Sequence, residues 1–154
     1  MMQVELFLTA TNYSLSVLIF LALLLIAFSD IRTRKISNTT LLILALLLLL
    51  GWFSQPNWQI WPYSLTILLV GLGLFKLGVL AAGDTKLLAV LSLGIDPLYM
   101  PLTLVGIAIV GGLMALGYLL YGLVTDLQQV RQRGIPYGVP ICLVGGLAVY
   151  VSAL

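Results

Sequence analysis

Two aspartates, Asp30 and Asp84, are the residues on which chemistry can be built. Each sits at the edge of an apolar run and beside cations, in Asp30-Ile31-Arg32-Thr33-Arg34-Lys35 and in Ala82-Gly83-Asp84-Thr85-Lys86. Two carboxylates brought close together cannot both ionise easily and come to share a proton. One then acts as base toward a water while the other donates a proton to a peptide carbonyl. That is acid–base hydrolysis of the aspartic-protease kind, and it uses no metal, thiol, imidazole or cofactor.

The rest of the sequence narrows the chemistry to this type. There is no histidine, so Ser-His-Asp and Cys-His arrangements are excluded. A single cysteine, Cys142, rules out an intrachain disulfide framework and a Cys/His zinc site. Cys142 lies in an apolar run and reads as a small core residue. The carboxylates are Glu5, Asp30, Asp84, Asp96 and Asp126, and Asp126, near Gln128 and Gln129, reads as a solvated loop acid.

Each of the two acids also has a plain structural reading. Asp30 falls at the C-terminal end of a helix, where the macrodipole disfavours an anion. It breaks a local rule without evident gain, unless it simply pairs with Arg32 or Arg34. Asp84 precedes a helix and could serve only as its N-cap. Gly83 allows close backbone approach, and Lys76 and Lys86 are near enough in sequence to keep Asp84 anionic.

The elements that must position these acids are apolar. The chain is 62% hydrophobic and 8% charged, against about 25% charged in a soluble domain. This predicts an all-α integral membrane protein of one domain covering the whole chain, with the lipid bilayer as partner. A net charge of +2, with no basic run interleaved with aromatics, gives no reason to expect nucleic acid. Six spans are expected at about 12–29, 39–53, 61–80, 85–93, 102–124 and 139 to the C-terminus. A polar hinge from Asp30 to Asn38 follows the first, and Ser37 or Asn38 caps the second. Trp52, Trp58 and Trp61 surround the next turn as an interfacial aromatic belt. The fourth helix is short, roughly 16 Å, and passes into an irregular stretch with Gly94, Pro97 and Pro101. In the fifth, Gly111 and Ala115 have small-xxx-small spacing, which favours close helix packing.

The first cations follow the first apolar run, so that run reads as an uncleaved span rather than a signal peptide. Threading six spans places both the N-terminus and the C-terminus outside. All seven cations, Arg32, Arg34, Lys35, Lys76, Lys86, Arg131 and Arg133, then fall on the cytoplasmic side, and Glu5 and Asp96 outside. Asp30 and Asp84 fall at one face.

Three segments carry a family resemblance: Ser29-Asp30-Ile31-Arg32-Thr33-Arg34-Lys35-Ile36-Ser37-Asn38, Ala82-Gly83-Asp84-Thr85-Lys86-Leu87-Leu88 and Ile135-Pro136-Tyr137-Gly138-Val139-Pro140. In this order they resemble the type IV prepilin peptidases, polytopic aspartic proteases with a GxGD-type motif. The chain is most similar to the short members that serve Flp-type, or tight-adherence, pili. The resemblance implies that Asp30 and Asp84 are the catalytic pair, with Gly83, Lys86, Asn38, Pro136 and Tyr137 around them. It implies removal of the leader from prepilin or pseudopilin precursors at the cytoplasmic face of a bacterial inner membrane.

The chain departs from the pattern in three places. Ala81 stands for the first glycine of GxGD, Ser37 stands for a proline, and the inserted domain with paired cysteines that is linked to N-methylation is missing. Two other readings of an oily chain with acids at its helix ends are a proton- or ion-coupled transporter and a non-catalytic subunit of a pilus or secretion platform. A peptidase assay separates all three, because only the first cuts a peptide.

Overall fold

Long leucine-rich runs without period-2 alternation fold as helices. The computed structural model describes residues 13–126, 128 and 134–153, together with the helical backbone of 2–12. Six α-helices occur among the described residues, and no strand: α1 Met2–Thr33, α2 Asn38–Ser54, α3 Ile60–Lys76, α4 Ala82–Leu91, α5 Met100–Val124 and α6 Gly138–Ser152, with a 3-10 turn at Ser92–Gly94 after α4. The side chains of Glu5, Arg131 and Arg133, which the threading used, lie outside the described residues.

Local signals explain where the helices start and stop. Ser37, rather than Asn38, caps α2, its hydroxyl accepting the Thr39 N–H at 3.2 Å. α1 ends where Arg34 takes a left-handed conformation, φ 56°, a usual way to terminate a helix. Asp30 is therefore still helical, and the expected hinge begins four residues later than its sequence suggested. α3 stops at Lys76, because Gly78, at φ 73°, turns the chain. α4 then begins at Ala82, earlier than the expected 85, and its cap residue Ala81 offers no side chain to the helix.

α4 is the central element, packing against α2, α3 and α6. Leu87 and Leu91 on its inner face are fully buried with Ile26, Leu44 and Ile141 from three neighbouring helices. Its 10 residues reach about 15 Å, and the following turn adds about 6 Å. Asp96 lies beyond it, accepting from Asn57 Nδ2 at 3.2 Å and donating its backbone N–H to Ser152 Oγ at 2.9 Å. Trp52 packs edge-on against Trp58 and Trp61 at this same end. Asp96 is thus separated from Asp30 and Asp84 by the length of the bundle.

α1 from Tyr13 and α5 are long and apolar enough to cross a membrane. α2, α3 and α6 are apolar but shorter, at 15–17 residues. Much of the outward surface is leucine, including Leu25, Leu42, Leu69 and Leu113.

One close contact fixes the start of α4. Thr85 is buried, with its hydroxyl 3.2 Å from the carbonyl oxygens of both Gly71 and Ala81. A Cβ at Gly71 would stand 2.7 Å from Thr85 Cγ2, whereas one at Gly73 would meet nothing within 4 Å. Gly71→Ala is expected to destabilise the fold by about 1–3 kcal/mol through overpacking. Gly73→Ala, on the same helix, is expected to be neutral or stabilising. Thermal unfolding of the two variants side by side checks this.

Candidate active site

Asp30 occupies the last turn of α1 and is buried, 6% exposed. The Gly138 N–H, 108 residues away in sequence, donates to its Oδ2 at 2.8 Å. Gly138 is the first residue of α6, and the residue before it, Tyr137, makes no side-chain cap. Asp30 therefore caps α6 from another helix. The position that looked unfavourable on α1 is favourable at the amino end of α6, where free amides and the dipole attract an anion. A Cβ on Gly138 would stand 2.8 Å from Asp30 Oδ2, so only glycine leaves the carboxylate room.

Asp84 sits in the first turn of α4 and is 8% exposed. It is not the N-cap that its sequence position suggested, because the helix starts two residues before it. Burial, and then the charge of Asp30, push its pKa up from 3.8 to about 6. No lysine is among the charges that set this shift. Lys86 instead turns to α2, its Nζ donating to Asn38 Oδ1 at 3.2 Å. Lys76 is not part of the cavity lining.

Asp30 and Asp84 line one cavity of about 460 Å³, with Asn38, Gly83, Lys86 and Arg34 also on its wall. A larger groove of about 890 Å³ runs along α1, α2 and α6 past Phe20, Leu24 and Cys142, and among the described residues the only acid on its wall is Asp96. Gly83 needs no special space, since a Cβ there would make ordinary 3.5 Å contacts with Ile36. Close approach to Gly83 is thus not a feature of the fold itself. Arg32 lies over the Phe28 ring at 5.9 Å, and the cation whose charge acts on Asp30 is Arg34.

The third segment reaches the acids through its backbone. Pro136 is buried, and its carbonyl accepts the Val139 N–H at 3.1 Å. The Tyr137 ring packs over Gly111, where a Cβ would stand 2.8 Å from Tyr137 Cε1. The small residue at 111 thus makes room for an aromatic ring rather than for a neighbouring helix. Gly134 and Ile135 line the cavity, and Gly138 makes the hydrogen bond to Asp30. Sequence reasoning gave no site role to Gly138 or Thr85, and it left Arg34 as one of two candidate partners for Asp30. A glycine at the head of an apolar helix was the one available signal for the first of these.

The sequence profile of the type IV leader peptidase family matches residues 17–116. That range holds both aspartates and ends before the 134–140 segment. No curated protein and no solved structure matches the chain significantly. The matched range takes in most of the described helices and the cavity's two carboxyls, and the chain belongs to the type IV leader peptidase family.

Proposed function

We propose that this peptidase is of the aspartic type, with Asp30 as base and Asp84 as acid. Two features support the division of roles. Burial raises the Asp30 carboxyl above its ordinary value, but the Gly138 N–H and the charge of Arg34 work against that rise and favour its ionised form, help that Asp84 lacks. Asp84 is buried beside that negative charge and keeps its proton to about pH 6. In the reaction, Asp30 takes a proton from a water in the cavity as the water oxygen bonds to the scissile carbonyl carbon. Asp84 gives its proton to the carbonyl oxygen. The tetrahedral product collapses with proton transfer to the leaving nitrogen, the C–N bond breaks, and one water is consumed. The observation that carries this reading is that two carboxyls from helices far apart in sequence line one cavity.

The substrates of the family are prepilin-like, and the Flp type is the reading we favour. The apolar exterior of α1, α2, α3 and α5 suits lipid rather than water. With the described cations Arg32, Arg34, Lys35 and Lys86 at or near the ends of helices that meet the cavity, the positive-inside rule faces that cavity to the cytoplasm of a bacterial inner membrane. Co-expression with a Flp-type prepilin, followed by N-terminal sequencing, tests the function. A new N-terminus at the leader junction, absent without the peptidase, is expected. An unprocessed precursor would refute the reading.

The shared proton predicts a pH dependence. kcat/KM is expected to fall as pH rises through about 6, because Asp84 then loses the proton it must donate. A profile flat from pH 5 to 8 would exclude Asp84 as acid.

Gly138→Ala should displace Asp30 from the α6 amide and lower kcat by about tenfold or more. KM should change little. Initial rates across a substrate series check this, with thermal unfolding to confirm that the variant is folded.

A further inference from the structure

Arg34 carries two unfavourable features that helix termination alone does not require. It is the one non-glycine residue with positive φ among the described residues, where a side chain is strained. Its Nε and Nη1 are buried without a hydrogen-bond partner, a state that folded proteins avoid. Its remaining polar contact is a long one: Nη2 donates to the Tyr118 hydroxyl at 3.4 Å, and the guanidinium stands 5.7 Å from that ring's centre. The side chain lines the cavity of Asp30 and Asp84.

The charge of that cavity is lopsided. Arg34, Lys35 and Lys86 face two aspartates, so cations are in excess even when both acids are ionised, and more so when the pair shares a proton. A positively biased pocket with spare guanidinium donors selects an anion, and charge-assisted, two-pronged bonds to a carboxylate, the anion that a peptide substrate carries, are among the strongest that arginine makes.

We propose that Arg34 binds a carboxylate side chain of the substrate close to the bond that is cut, and so determines which precursors are accepted. Rotation away from the 3.4 Å Tyr118 contact presents the unpartnered nitrogens to the incoming chain. The inference rests on the hydrolytic reading of the cavity, and Arg34 takes no part in proton transfer.

The test is a kinetic cycle with purified enzyme. Wild type, Arg34→Gln and Arg34→Lys are assayed on a Flp-type prepilin. They are also assayed on variants of that precursor in which each Asp or Glu within about five residues of the cut, the reach of an extended chain across such a cavity, is changed to Asn or Gln. Arg34→Gln is expected to raise KM about tenfold to a hundredfold on the unaltered precursor, in addition to any fall in kcat that follows from the lost charge beside Asp30, and Arg34→Lys to recover part of the loss in KM. One neutralised precursor should raise KM equally with wild-type enzyme, and combining it with Arg34→Gln should cost nothing further.

Losses that multiply would overturn the proposal. So would a fall in kcat with a displaced pH profile and an unchanged KM, which would confine Arg34 to acting on Asp30. The neutralised precursors need only wild-type enzyme, so an Arg34 variant that fails to fold does not rescue the idea: if none of them raises KM, it is wrong. Failure of wild type to cut any precursor would instead remove the hydrolytic reading itself.

Discussion

Asp84→Asn is expected to lower kcat/KM by about 10³-fold, within the range that a positioned general acid contributes, while making the protein more resistant to heat at neutral pH. The two effects have one cause. The folded-state pKa of Asp84 is raised from 3.8 to about 6, so between those values the folded protein binds more protons than the unfolded chain. Stability then falls as pH rises through that window and stays lower above it. Asparagine carries no charge to bury beside Asp30 and removes the penalty. The variant should therefore unfold at a higher temperature than wild type at pH 7, and the difference should vanish below pH 4. Calorimetry at the two pH values, run beside a cleavage assay, measures both. A variant that is inactive because it is less stable at pH 7 would count against the assignment.

The second large effect separates two roles that Asp30 combines. As an anion it serves hydrolysis, and as a hydrogen-bond acceptor it caps α6 through Gly138. Asp30→Asn keeps an oxygen able to accept that N–H, so the fold should survive with little loss of stability. Cleavage should still fall by about 10³-fold, because an amide cannot take a proton from water. Asp30→Ala leaves the Gly138 N–H buried without a partner, which costs about 1–3 kcal/mol in addition. Cleavage is expected to be lost in both and stability in the alanine variant alone. Normal processing by Asp30→Asn would reduce the residue to a cap.

The helices themselves were legible because their apolar runs are long and their stops are chemically marked. The tryptophan cluster follows from three indoles near one turn. A cap at Ser37 or Asn38, the shortness of α4 and the separation of Asp96 from the other two acids also follow from local rules. What local rules missed was set by contacts between distant segments. Asp84 looks like an N-cap until Thr85 is anchored to Gly71, which draws α4 back to Ala82. Asp30 looks misplaced until the end of α6 arrives from 108 residues away. Lys86 looks like a partner for its neighbour Asp84, but its side chain reaches Asn38. The left-handed turn at Arg34 had no signal at all, since arginine seldom adopts it.

The account depends on electrostatic coupling between Asp30 and Asp84, and infrared titration of the protonated carboxyl stretch measures this most directly. The Asp84 band, assigned by subtracting the Asp84→Asn spectrum, should disappear with a midpoint near pH 6 in wild type. In Asp30→Asn the midpoint should move down, because the neighbouring negative charge is gone. A midpoint near 3.8 in wild type, or one that does not move when Asp30 is neutralised, would contradict it.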